Sequence, residues 1–308
     1  MKKVENSKRL AIFKLALSLC ACLMLITSCT PASDKEPDKD KRSKSWTKIC
    51  KDWDDWGKPA PPFKLYGNSY YVGTCGITSI LITGTDGHIL IDGATEEGAD
   101  VIATNIKTLG FSIRDVKILL HSHEHFDHVA GLAKLQKLSG AKLLASAEAA
   151  PVLRTGITAA VDPQAGMHES FPPARVDAIV NGGEAVTLGD LKLIPIATPG
   201  HTVGALSWQW YSCVERRCLS LVFADSLTPI SRDNYYFSDH PKYVEKYQQG
   251  IEKLAALDCQ LIVSSHPSAS KMRDRLLSPE GLIDSSGCKD YASKTLRRLD
   301  KRLLKERQ

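Results

Sequence analysis

The order of elements along this 308-residue chain predicts an α/β sandwich of mixed sheets with helices outside. Three observations predict it. Apolar runs of strand length alternate with helical stretches from about residue 60 to the end. The two halves share a strand-rich start and a helical finish, without any short-period repeat. Three histidine-bearing clusters each follow directly on a predicted strand, where open α/β sheets place their ligands. The composition, 43% hydrophobic and 24% charged, is that of a globular protein able to bury a substantial core.

In chain order, Tyr70–Val72, Ile77–Thr83 and His88–Asp92 read as strands, with Thr85-Asp86-Gly87 as the turn between the last two. A helix is expected over 95–108, a short buried strand at Val116–Leu120, a helix over 129–139 stopped by Gly140, and a strand at Lys142–Ala145. The Pro- and Gly-richer stretch 161–175 is long enough for a functional loop. The second half gives strands at Ala185–Leu188, Leu191–Ala197, Ala205–Trp210 and Leu219–Phe223, a helix at 241–256 and the strand Leu261–Ser264. The last helix carries Ala292, Leu296, Leu299 and Leu303 on one face for packing, and its opposite, Lys- and Arg-rich face is expected to be solvated surface.

The first 29 residues read as a targeting signal. Lys2, Lys3, Lys8, Arg9 and Lys14 precede the apolar stretch Leu15–Ile26, which is short for a bilayer span. Ile26-Thr27-Ser28-Cys29 resembles the lipobox of bacterial lipoproteins, with Cys29 as the acylated residue; an ordinary signal peptide or an uncleaved anchor is the alternative, and all three export the chain. Residues 30–45 (TPASDKEPDKDKRSKS) are expected to form a flexible polar tether, leaving one domain over 46–308. Since the leader holds most of the formal charge of +5, the remainder is close to neutral, which argues against nucleic acid or a membrane surface as partner. Six cysteines follow the leader: Cys50, Cys75, Cys213, Cys218, Cys259 and Cys288. An even number in an oxidising compartment suggests three disulfides, and Cys213 and Cys218, bracketing the loop VERR, are natural partners. Zinc ligation is the rival, but no CxxC pair occurs.

The chemistry is concentrated in HSHEHFDH (121–128). His123 and His125 can offer two imidazoles to one ion, and Asp127 and His128 a carboxylate and an imidazole to a second; this donor mixture suits zinc. Thr198-Pro199-Gly200-His201-Thr202 follows the strand 191–197, and Ser265-His266-Pro267 follows the strand 261–264. No Ser/His/Asp arrangement stands out, so a protein nucleophile is not indicated. Of the other polar residues, His121 shares a face with His123 by strand alternation, His88 is expected exposed or in a hairpin, His168 on the surface, and His240 at the start of a helix. Glu124 is expected to serve solvent or to support the ligands rather than to act in catalysis.

His123-x-His125-x-Asp127-His128, then Pro199-Gly200-His201-Thr202, then His266, resembles the metallo-β-lactamase superfamily, from about residue 60 to the end. The resemblance implies a four-layer αβ/βα sandwich and two zinc ions, one on His123, His125 and His201, the other on Asp127, His128 and His266. Thioester and lactone hydrolases of the superfamily use an aspartate that bridges both metals. Phe223-Ala224-Asp225-Ser226-Leu227-Thr228-Pro229 is instead similar to the third subclass of class B β-lactamases, in which a serine matching Ser226 takes that position. Asp225 is then expected to support the ligands and not to bind metal. The likeness extends to 120–131, Phe171-Pro172-Pro173 and Ser265-His266-Pro267-Ser268, and it implies the pairs Cys259–Cys288, Cys50–Cys75 and Cys213–Cys218. It further implies an enzyme that hydrolyses penicillins, cephalosporins and carbapenems and confers antibiotic resistance; the leader places it in the periplasm, with Cys29 as the anchor to the outer membrane, and a monomer is the default. Asp127 would orient the attacking water, and Ser226 and Thr228 would hold the substrate carboxylate. The alternatives are an exported metallo-hydrolase of the same fold acting on a lactone, thioester or phosphodiester, and an exported zinc-binding lipoprotein without catalysis.

Overall fold

The computed structural model describes residues 37–308, so the leader, Cys29 and the start of the expected tether lie outside the described residues. The elements are α1 (Pro37–Ile49), β1 (Phe63–Tyr66), β2 (Ser69–Tyr71), β3 (Ile80–Gly84), β4 (Gly87–Ile91), α2 (Gly98–Thr108), β5 (Val116–Leu120), α3 (Phe126–Val129), α4 (Leu132–Ser139), β6 (Lys142–Ala145), α5 (Ala149–Thr155) and β7 (Val176–Ile179). They continue with β8 (Val186–Leu188), β9 (Leu191–Ala197), β10 (Leu206–Val214), β11 (Arg217–Ala224), α6 (Pro241–Ala255), β12 (Leu261–Ser264), α7 (Met272–Leu277) and α8 (Gly287–Glu306).

The strands form a seven-stranded sheet in the order β1 to β7 and a five-stranded sheet in the order β12-β11-β10-β9-β8. Both are mixed: β4 to β7 run parallel, as do β11 and β12, and the other neighbours are antiparallel. Strand alternation explains the layering. In β11, Leu221 and Phe223 enter the core between the sheets, whereas Val222 and Ala224 face outward onto α6 and α8. In β4, Ile89 and Ile91 point between the sheets and Leu90 points outward, beneath Ile102 of α2 and Leu135 of α4. Strands covered on both faces must be apolar throughout, which is why 88–91 and 219–224 read as near-continuous hydrophobic runs. The result is helix, sheet, sheet, helix, the four-layer sandwich that the sequence implied.

Several expected elements shift. The strand expected from Ile77 starts at Ile80, because residues 73–78 form a turn that the Tyr71 hydroxyl closes by donating to Thr74 O and Ile77 O (3.1 Å). β10 and β11 extend to the hairpin tip, so Cys213 and Cys218 are direct cross-strand partners and the expected VERR loop is a tight turn. β1, β7, α5 and α7 had no sequence counterpart. The expected flexible tether 30–45 overlaps α1, whose nine residues 37–45 are helical here. Proline suits the first helical position, and the helix is anchored at its other end by buried Trp46, edge-on to Phe63 and Tyr71. Cys50–Cys75 then ties that end to the β2–β3 turn, and Cys259–Cys288 joins α8 to the start of β12. No helix among the described residues is long and apolar enough to cross a membrane.

Candidate metal centre

Five strands point their C-terminal ends at one edge of the sandwich. β4 delivers Asp92, β5 the segment 121–128, β9 the turn 198–202, β11 residues 225–228, and β12 Ser265-His266. Backbone bonds lock these segments together: Asp92 N donates to Leu120 O (3.0 Å), Ser265 N to Ala224 O (3.1 Å) and Leu206 N to Ser122 O (2.6 Å). Gly200 is required because an added Cβ would lie 2.1 Å from the ring of buried Tyr247. Asp92, Ala94 and Leu227 are non-glycine residues at φ of 63°, 56° and 46°, a conformation that costs on the order of 1–3 kcal/mol each. Leu227 is held there by complete burial against α6 and α8.

The six expected ligands converge as two tripods. One ring nitrogen from each of His123, His125 and His201 lies within 4.8 Å of the others, with His125 Nδ1 and His201 Nε2 3.2 Å apart. In the second, Asp127 Oδ2 lies 3.1 Å from His128 Nε2 and 3.5 Å from His266 Nε2, and the two imidazole nitrogens are 3.4 Å apart. His123 also groups with Asp127 and His128, so the tripods adjoin along it. A tetrahedral ion with bonds of about 2.0–2.1 Å separates its donors by about 3.3 Å. The donor spacing fits such an ion.

The opposite ring nitrogens decide which atoms face the site. His123 Nδ1 donates to Asp225 Oδ1 (2.7 Å), His125 Nε2 to Asp162 Oδ2 (3.2 Å) and His201 Nδ1 to Thr228 O (2.9 Å). His128 Nδ1 donates to Asp92 Oδ2 (3.0 Å) and His266 Nδ1 to Gly76 O (3.1 Å). Each imidazole thus spends its proton outward and turns a lone pair inward, the pattern of metal-binding histidines. Burial, reinforced by neighbouring imidazoles, holds His123 and His201 well below the ordinary histidine pKa and brings His266 down to about 4, which keeps all three neutral. Desolvation disfavours charge on His128, but Asp127 and Asp92 raise its pKa to about 10, so positive charge is favoured where Asp127, His128 and His266 meet, and a cation can supply it. The residues present therefore fit zinc.

A cleft of about 600 Å³ opens onto this floor. Its walls include Trp53, Trp56, Ser226, Thr228 and Ile230. Ser226 Oγ shares a hydrogen bond with Ser265 Oγ (2.8 Å), and Thr228 Oγ1 lies 3.2 Å from His201 Nδ1. Asp225 contacts the outward nitrogen of His123, which places it behind that ligand and away from the floor.

Of the other residues, some depart from expectation and some, such as His240 at the start of α6, meet it. His168, expected on the surface, lines the cleft, 5.0 Å from the Phe126 ring, with Nε2 3.3 Å from Gln164 Oε1, because the 161–175 loop folds over the site. His88 sits in the β3–β4 hairpin but is buried edge-on against Phe111. His121 is wholly buried and accepts from Ser146 N (3.1 Å). His240 caps α6 and stacks on Tyr235. Glu124 does not face solvent: it accepts from Thr202 Oγ1 (2.6 Å) and Gly204 N (2.9 Å), tying two ligand segments together, and burial pushes its carboxyl up to about 7. The basic face of α8, expected as solvated surface, borders the cleft through Arg298, Lys301, Arg302 and Lys305. Asp92, Asp162 and Gln164 were missed. Asp92 could have been found as an acid at the end of a predicted strand; Asp162 and Gln164 lie in a loop without periodicity, and Arg232 fastens that loop by donating to Asp162 O (2.8 Å).

Residues 72–266 match the metallo-beta-lactamase superfamily. Among solved structures, MIM-2 metallo-beta-lactamase is 53% identical with a TM-score of 0.83, over 86% of this chain and 98% of that one. The MIM-1 enzyme from Novosphingobium pentaromativorans is 43% identical with a TM-score of 0.82, over 85% of this chain and 98% of that one. BJP-1, a subclass B3 metallo-beta-lactamase of Bradyrhizobium japonicum, is 32% identical with a TM-score of 0.73, over 82% and 96%. Curated relatives include a hydroxyacylglutathione hydrolase of Maricaulis maris (strain MCS10), 32% identical over 106 residues, 34% of this chain; the match spans only 32% of that protein's length. The chain belongs to the metallo-beta-lactamase superfamily of hydrolases, and its structural neighbours are metallo-beta-lactamases, among them one of subclass B3.

Proposed function

We propose that this chain is a zinc-dependent β-lactamase that hydrolyses the cyclic amide of penicillins, cephalosporins and carbapenems and so confers antibiotic resistance. It acts as an exported, periplasmic monomer, held at the outer membrane by a lipid on Cys29. The observation that carries this function is the pair of adjoining donor tripods on the floor of a cleft whose wall bears two hydroxyls, Ser226 and Thr228. Zinc bound there supplies Lewis acidity, which polarises a carbonyl and lowers the pKa of water from about 15.7 to around 7.

The protein's part is positioning and proton handling. Among the described residues that line the cleft Asp127 is the only acid, and its carboxylate orients the attacking water and accepts its proton. Opening the ring consumes one water, and that proton ends on the former amide nitrogen, with Asp127 as the group within reach to return it. Ser226 and Thr228 hold the carboxylate beside the lactam. His201 Nδ1 already gives its proton to Thr228 O, so the Thr228 hydroxyl is free to donate to substrate. Trp53 and Trp56 offer aromatic surface to the apolar part of a small bicyclic substrate.

The curated relatives favour a thioester as the rival substrate. Against it stands Asp225, whose carboxylate is engaged on the outward side of His123, where it cannot bridge two ions. Initial rates on benzylpenicillin, a cephalosporin, a carbapenem and a glutathione thioester separate the two. Efficient lactam hydrolysis with slow thioester cleavage is expected, and the reverse order overturns the assignment. Mass spectrometry of the mature N-terminus from membrane fractions tests acylation of Cys29.

A further inference from the structure

The basic face of α8 has a spacing that solvation does not require. Arg298, Lys301, Arg302 and Lys305 follow i, i+3, i+4, i+7, one helical stripe about 10 Å long, and all four line the cleft. Arg302 is engaged: it pairs with Glu306, donates to Ser231 Oγ (2.8 Å) and covers the Phe237 ring. Arg298, Lys301 and Lys305 are exposed, and among the described residues none has an ion-pair or hydrogen-bond partner. Neighbouring Lys271 and Lys294 add to the same field, and Lys294, itself partly desolvated, is held below the ordinary lysine pKa with Arg298 and Lys271 contributing. The helix dipole favours a cation in the last turn, which accounts for Lys305 but not for Arg298 two turns earlier. Like charges along one stripe repel, so the arrangement lacks its counter-charge.

We propose that Arg298, Lys301 and Lys305 form an anion seat on the outer wall of the cleft, which selects substrates bearing a second acidic group besides the carboxylate held by Ser226 and Thr228. This rests on the β-lactam function proposed above. The seat lies on α8 and supplies none of the tripod donors, so it acts on binding and encounter and leaves the ring-opening step untouched. Concentrated positive charge beside a cleft raises the local concentration of anions, an effect that fades as salt shortens the screening length.

The test compares benzylpenicillin with carbenicillin, which differs from it by one additional carboxylate. In the zinc-loaded enzyme, the triple variant Arg298→Gln, Lys301→Gln, Lys305→Gln should lower kcat/KM for carbenicillin on the order of tenfold, mainly through KM, and that for benzylpenicillin less than about twofold. The wild-type rate on carbenicillin should also fall more steeply with ionic strength than that on benzylpenicillin. The single variant Arg298→Lys, which keeps the charge, should behave as wild type. Equal losses on both substrates, or no loss on either, overturn the seat while leaving the β-lactamase function intact. A wild-type enzyme inactive on both overturns that function, and the seat with it.

Discussion

His201 and His266 are the single histidines that the C-terminal half adds to each tripod, and the protein holds them differently. His201 turns on Gly200, beneath Tyr247, and its tripod partners His123 and His125 are backed by the buried carboxylates of Asp225 and Asp162. His266, like His201 on Thr228 O, is oriented by a backbone carbonyl, Gly76 O, but its side chain is 18% exposed and two tryptophans flank it at the mouth of the cleft. Two of the first tripod's histidines thus rest on buried carboxylates, whereas in the second only His128 does, on Asp92, and His266 leans on the turn that Cys50–Cys75 staples. A centre built this way should hold one ion firmly and exchange the other more readily.

The largest effect that can break this comparison is His201→Ala. It should reduce hydrolysis of a chromogenic cephalosporin to background and cost the protein one zinc equivalent, measured by elemental analysis. Next, Asp225→Ala should weaken the first ion about 10- to 100-fold, read by competition with a chromophoric chelator. Equal weakening of both ions would show that the tripods are not separately supported. Replacing Cys50 and Cys75 by serine should lower stability by about 2–4 kcal/mol in thermal unfolding, and should weaken chiefly the second ion, because Gly76, whose carbonyl orients His266, loses the staple beside it. The smallest effect belongs to the wall. Ser226→Ala or Thr228→Ala should each raise KM about fivefold, roughly one hydrogen bond of about 1 kcal/mol, with kcat nearly unchanged and zinc content intact.

The same contrast governs how much the sequence disclosed. Ligands on or directly after apolar strands were legible, because short continuous apolar runs such as Val116–Leu120 and Leu261–Ser264 mark both the buried strand and the point where it stops. His123, His125, Asp127, His128, His201 and His266 all follow such a run or open the helix after it. The groups behind them were not legible. Asp162 and Gln164 reach the floor only because Arg232, 70 residues from Asp162, ties their loop down. His168 read as a surface residue for the same reason: a loop's path depends on tertiary contacts and leaves no periodicity. The α8 stripe shows a third case, in which a helical face was correctly seen but the wall it borders comes from elsewhere in the chain. The short edge strands β1 and β7 escaped notice because four residues carry too little pattern to separate from coil.

The central claim is that two zinc ions on these six side chains make the protein an amide-ring hydrolase. Its most direct test is the rate of carbapenem hydrolysis by the purified protein, followed while zinc is stripped with a chelator and then restored, with metal content measured in parallel. Loss of turnover as zinc leaves, and recovery as the content returns to two per chain, is the expected result. Full turnover by a zinc-free protein would contradict the account.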